Sequence, residues 1–189
     1  MTPSADDFLI IKIGGALLAS PDLLAETLSA IDNVARRRRV VVIPGGGPFA
    51  DAVRAIDQTI GLSDDSAHWM AILGMDQYAF LLAERLAEGI VVHTREDIAA
   101  ALSASLVPVL APSRWLRAED PLPHSWAVTS DSIAAWFAGE LGAAHLLLIK
   151  HPNAEGPLVD AYFTRALPPD VQLSTVAAGL PLHSALEAC

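Results

Sequence analysis

Cysteine is nearly absent from this 189-residue chain: the single thiol, Cys189, excludes an internal disulfide and any metal cluster built on cysteine. Long hydrophobic runs are missing as well. Stretches such as residues 90–93 and 146–149 fall far short of the ~20 residues a membrane helix needs, so a membrane span is excluded. No basic segment precedes the first apolar run and no small-residue cleavage site follows it, which argues against a secretory signal and makes the cytoplasm the expected location. Cations are outnumbered, with 12 Lys and Arg against 22 Asp and Glu; a net charge of −10 repels a phosphate backbone, so nucleic acid is not an expected partner. Lysine is the scarcest cation, since ten of the 12 are arginine and only Lys12 and Lys150 remain.

What is present is apolar material: 52% of residues are hydrophobic and 18% charged, enough for one packed core in a single domain over residues 1–189. Short apolar runs alternate with longer amphipathic segments, the βαβ pattern of an α/β fold with a mainly parallel sheet buried on both faces. Strands are predicted near 8–13, 40–43, 90–93, 106–111, a run ending at Lys150, and 171–177. The first helix is expected after Ser20-Pro21, capped by Ser20 and buried through Leu24, Leu28, Ile31 and Ala35, with the cations Arg36–Arg39 closing its C-terminal end. Pro48 starts a second helix. Ser63 caps a long third one over about 64–88, whose expected apolar stripe is Trp69, Ile72, Leu73, Phe80 and Leu81. Further helices are predicted over 95–104 and 130–142, a loop over 112–127, and a short helix at the C-terminal end.

Ligands of a parallel sheet collect at the carboxyl ends of its strands. Gly14-Gly15 and Gly45-Gly46-Gly47 each follow a strand and precede a helix, where glycine lets backbone N–H groups turn toward an anion. Lys12 and Lys150 end two further apolar runs, and a compact ammonium suits a transferring phosphate. Asp131, in Val128-Thr129-Ser130-Asp131-Ser132, stands in the first turn of a helix, where a carboxylate could hold two lysines. Each feature alone has a plainer explanation: lysines left by chance, a tight connection, a helix cap. Gly-x-x-x-x-Gly-Lys-Ser/Thr and Gly-x-Gly-x-x-Gly are both missing, so ordinary P-loop and Rossmann sites are excluded.

Lys12-Ile13-Gly14-Gly15, Pro44-Gly45-Gly46-Gly47 and Thr129-Ser130-Asp131, in this order, resemble the amino acid kinase superfamily. Within it, Gly45–Arg54, Ala67–Ile72 and Trp126–Ile133 look most like the aminomethylfuran-methyl phosphate kinases of methanofuran and methylofuran biosynthesis. The resemblance covers about residues 8–165 and implies a three-layer αβα sandwich. It also implies an ATP- and Mg²⁺-dependent phosphotransferase that converts a small phosphate monoester to a diphosphate. Lys12, Asp131 and Lys150 would be catalytic, with Lys12, Gly14, Gly15 and Lys150 on the phosphates of ATP and Asp131 orienting the lysines. Gly45, Gly46, Gly47, Arg54, Thr129 and Ser130 would hold the phosphorylated acceptor; Arg114, His68 and His124 are further candidates to meet it. Members commonly pair through the long helix, and Trp69, Met70, Met75 and Tyr78 offer apolar surface for a homodimer or higher even assembly. No protein metal site is expected, because none of the six histidines has ligand spacing.

The chain departs from the family's pattern at Ala16, where many members have Ser, and at His151-Pro152-Asn153, where Val-Asp-Gly is common. Val159-Asp160-Ala161-Tyr162-Phe163 looks like a displaced relative of that motif. Residues 151–189 contain no lysine, so the shortened C-terminal nucleotide-binding part lacks a second phosphate-binding ammonium. Two other readings stay open: a kinase for a carboxylate or carbamate, and a catalytically weak nucleotide- or oxyanion-binding protein of the same fold.

Overall fold

A computed structural model describes residues 8–154 and 156–179. Among these residues six strands form one sheet: β1 (Phe8–Ile13), β2 (Arg39–Pro44), β3 (Gly89–Val92), β4 (Val107–Leu110), β5 (His145–Lys150) and β6 (Gln172–Ala177). Their order is β3-β4-β2-β1-β5-β6, and every neighbouring pair is parallel. The helices are α1 (Pro21–Ala35), α2 (Gly47–Ile60), α3 (Asp64–Arg85), α4 (Arg95–Ser103), α5 (Ser113–Glu119), α6 (Ser130–Leu141) and α7 (Phe163–Ala166). They cover both faces, giving the expected three-layer αβα sandwich. Among the described residues no helix is long and apolar enough to cross a membrane.

Strand alternation builds two cores. Leu9, Ile11 and Ile13 of β1 pack with Leu147 and Ile149 of β5 against Leu24, Leu28 and Ile31 of α1 and the later part of α3. Phe8 and Ile10 pack with Leu146 and Leu148 on the opposite face, against Ile133, Ala134 and Phe137 of α6. Lys12 and Lys150 share the parity of this second set. The pleat that buries the sheet therefore also aims both lysines at the α6 face.

Several expected details differ for tertiary reasons. Ser20 does not cap α1 with its side chain; its hydroxyl meets the His151 ring at 2.9 Å, while Pro21 takes the first helical turn as expected. The arginine run does not lie in the last turn of α1, since Arg36 is its C-cap and Arg39 already begins β2. The predicted loop over 112–127 contains α5, stabilised from a distance by the Asp76 carboxylate, which accepts the Ser113 N–H at 3.0 Å and also its hydroxyl. The stripe foreseen on α3 is only partly right. Its first half feeds the second core through Ile72 and Met75, and its second half feeds the first through Tyr78, Ala79 and Leu82. Leu73 and Phe80 consequently face outward, 43% and 60% exposed, whereas Met75 and Tyr78, foreseen as surplus surface, are core residues. The short helix expected at the C-terminal end lies outside the described residues.

Candidate active site

Lys12, one residue from the end of β1, is only 3% exposed, and Asp131, in the first turn of α6, only 5%. The Lys12 Nζ lies 2.9 Å from Asp131 Oδ1, and the Lys150 Nζ donates to Oδ2 at 2.6 Å. Three residues distant in sequence thus form one buried triad, with Lys150 its more accessible end. Burial pulls the Lys12 ammonium below the ordinary lysine value of 10.5, against the opposing charge of Asp131. Burial pushes the Asp131 carboxyl up, but the two lysines outweigh it and hold the group below its usual range. Asp131 is therefore an ionised clamp between cations and not the cap of its helix.

Capping of α6 falls to Asp160, a residue given no site role by the sequence. Its Oδ2 accepts the Thr129 N–H at 3.0 Å, the Thr129 hydroxyl at 2.7 Å and the Ser132 N–H at 3.0 Å. Its Oδ1 accepts the Ser132 hydroxyl and the Tyr162 N–H. One sequence signal pointed that way: where a capping box places Glu or Gln at N3, this helix has Ser132, so a carboxylate must come from elsewhere. By satisfying the N-terminal groups, Asp160 frees Asp131 to face the lysines. The Thr129 hydroxyl is committed to this cap.

The two glycine segments meet backbone to backbone. A Cβ on Gly15 would stand 2.1 Å from the Gly47 nitrogen, and Gly47 itself has φ +54°, so no other residue fits this crossing without displacement. Gly14 and Gly45 do not offer their N–H groups to a ligand as expected. They donate to the carbonyls of Ile149 and Ile13, both at 2.8 Å, and extend the sheet ladder. Gly15, Gly46 and Gly47 line a cavity of about 240 Å³, together with Ser130, Thr129 and Arg54.

Arg54 enters the cavity wall from α2, with its guanidinium 4.5 Å from the Trp126 ring centre and 3.3 Å from Asp51. Trp126 is fixed in turn by its indole N–H, which donates to Asp57 at 2.7 Å. His68 also lines the cavity. His124 does not; it stacks on His68 with ring centres 4.2 Å apart, and its two nitrogens engage Asp65 and, at 2.8 Å, Asp120. Burial, aided by the charge of His124, lowers His68 to about 4, whereas the bonds to Asp65 and Asp120 raise His124. Arg114 is a correction: it lines a separate open cleft of about 310 Å³ with Arg95, Trp115 and Glu140, away from the glycine loops.

Two ammonium groups held by one buried carboxylate at the strand ends, beside a glycine-floored cavity, are suited to stabilising phosphoryl oxygens. The curated (5-(aminomethyl)furan-3-yl)methyl phosphate kinase of Methanocaldococcus jannaschii is 35% identical over 144 residues. The alignment spans 74% of this chain but 63% of that relative, less than two thirds of its length. Among solved structures, the uridylate kinase of Archaeoglobus fulgidus superposes with a TM-score of 0.71 at 14% identity, over 95% of either chain. The UMP kinase of Ureaplasma parvum gives 0.71 at 17% identity, over 96% of this chain and 95% of its own. The sequence profile of the amino acid kinase family matches residues 7–153, a span holding both glycine loops and all three triad residues, and the chain belongs to that family.

Proposed function

We propose that this chain is an ATP-dependent kinase that phosphorylates a small phosphate monoester, aminomethylfuran-methyl phosphate, to the diphosphate in methanofuran or methylofuran biosynthesis. The observation that carries the reading is the Lys12–Asp131–Lys150 triad standing at the strand ends beside the glycine-floored cavity. The family membership and the relative's printed activity support it.

In the reaction, an oxygen of the acceptor phosphate attacks the γ-phosphorus of ATP, the bond to the β-phosphate oxygen breaks, and ADP leaves. A phosphate dianion has no proton to lose, so the step requires no general base. Lys12 stabilises negative charge on the transferring group, and Lys150 draws the nucleotide phosphates from the more open side. Asp131 positions both ammonium groups before the reaction begins, which removes reorganisation from the barrier. The N–H groups of Gly15, Gly46 and Gly47, with Ser130 and Arg54, hold the acceptor phosphate. Among the described residues no group of three or more His, Cys, Asp or Glu converges on a metal position. Mg²⁺ would be held chiefly by nucleotide phosphates and water.

ADP release measured over a panel of phosphate monoesters, carboxylates and carbamate tests the proposal. Turnover is expected with aminomethylfuran-methyl phosphate; ATP binding with no ADP release from any acceptor would favour a binding protein. We propose further that the chain forms a homodimer or a higher even assembly, in which the exposed Leu73 and Phe80, two turns apart on α3, are covered. Sedimentation as a monomer at micromolar concentration would refute that assembly.

A further inference from the structure

We propose that the α3 wall of the cavity is a cation site, in which the Asp64 carboxylate and the His68 imidazole together recognise the primary ammonium of the acceptor. The proposal rests on the kinase reading for the identity of that acceptor, but the site is argued from the wall itself. Asp64 and His68 are four residues apart on α3, hence on one helix face, and both line the cavity. His68 is 9% exposed, and neither ring nitrogen has a hydrogen-bond partner among the described residues; its contacts are aromatic, with Trp69 edge-on at 5.1 Å and His124 stacked. The ring is largely buried, yet its nitrogens are not sealed off and stay available to a ligand in the cavity.

The sign of that partner follows from charge. Burial, with His124 behind it acting in the same direction, holds His68 at about 4 and so neutral at ordinary pH, and one ring nitrogen offers a lone pair. The cavity's ionised side chains are Asp51, Asp64 and Arg54, and Arg54 is already paired with Asp51 and laid over Trp126. Asp64 is left as the carboxylate without a counter-ion. An anion is better placed against the glycine floor near Lys12, and a cation against α3. A small molecule carrying phosphate at one end, an apolar ring in the middle and an ammonium at the other matches this polarity, with Ala67, Ala71 and Ile72 along the ring's path.

The test is binding by calorimetry of two probes, aminomethylfuran-methyl phosphate and its analogue with hydroxymethyl in place of aminomethyl. Wild type, Asp64→Asn and His68→Phe are compared, the last keeping an aromatic ring against His124. Wild type is expected to prefer the amine by at least about tenfold, as a charge-assisted hydrogen bond would give, and each variant to lose most of that preference, the ratio of the two affinities falling toward one. Equal affinity of wild type for the two probes, no binding of either, or a preference that survives in both variants would overturn the site. ADP release, measured separately, judges the kinase reading: amine-selective binding without turnover ends that reading and leaves the cation site standing, and turnover without amine preference does the reverse.

Discussion

Replacing Asp131 with Asn removes one charge from the triad and almost no volume. In the wild type, Asp131 Oδ1 lies 2.9 Å from Lys12 and Oδ2 lies 2.6 Å from Lys150, with Lys12 and Asp131 both buried. After substitution two ammonium groups face each other with no counter-charge. Breaking a buried ion pair by removing one partner costs ~3–5 kcal/mol. The lower end, about 3 kcal/mol, is expected here because Lys150 is more open and can turn toward water. The variant should therefore fold with a reduced melting temperature. Its kcat should fall by at least ~100-fold, roughly 2.7 kcal/mol of transition-state stabilisation, since both lysines lose the geometry the reaction uses. ATP affinity by calorimetry should change far less, because the ammonium charges still attract phosphate in the ground state. A pH profile supplies a readout that a merely structural role would not move. Lys12 is already below the ordinary lysine value through burial, with Asp131 the main opposing influence and Lys150 acting in the same direction as burial. Loss of the Asp131 charge lowers it further, so the alkaline limb of kcat/KM must shift toward lower pH in Asp131→Asn. Near-wild-type kcat with an unmoved alkaline limb would refute the positioning role.

Lys12→Arg tests whether the buried cation must be compact: kcat is expected to fall at least ~100-fold despite retained charge, because a planar fork cannot occupy an ammonium's site, and full activity would refute the assignment. Gly15→Ala places a methyl 2.1 Å from the Gly47 nitrogen, so backbone must move; thermal melting should show a loss of ~1–3 kcal/mol or more together with weakened acceptor binding. The stacked histidines should titrate on opposite sides of 6.5 in side-chain NMR, His68 near 4 and His124 above 6.5. Between pH 6.5 and 4 the unfolded chain binds a proton at His68 that the folded chain refuses, so this contribution to stability is complete above 6.5 and declines as pH falls to 4. The raised His124 acts oppositely, favouring the fold below 6.5 and losing that effect as pH rises through its folded value; both rings titrating together near 6.5 would contradict the stacked, clamped arrangement.

The chain's local chemistry determined much of this. Continuous apolar runs, interrupted by Gly-Gly and Gly-Gly-Gly before helical segments, were sufficient for the parallel sheet and for placing Lys12, Lys150 and both glycine loops at its ligand-bearing edge. These signals were legible because each is contained within a few consecutive residues. Scarcity also helped, since two lysines in a chain of arginines drew notice before any contact was known. Tertiary structure decided the rest, because the remaining choices depend on partners far away in sequence. Asp160 caps α6 across 31 residues to Thr129, and Asp76 caps α5 across 37 to Ser113. The Asp76 partnership leaves no mark in α5, and in α6 the mark is slight, a serine at N3 where a capping box has Glu or Gln. The inward faces of α3 change along its length because it serves two cores in succession, which defeats any single-stripe periodicity. Gly14 and Gly45 look like free donors until the ladder claims their N–H groups, and the sign of the partner that His68 takes is decided only where His124, from a distant loop, stacks behind it. Periodicity is a property of neighbours in the chain, whereas capping, charge compensation and donor availability belong to neighbours in space.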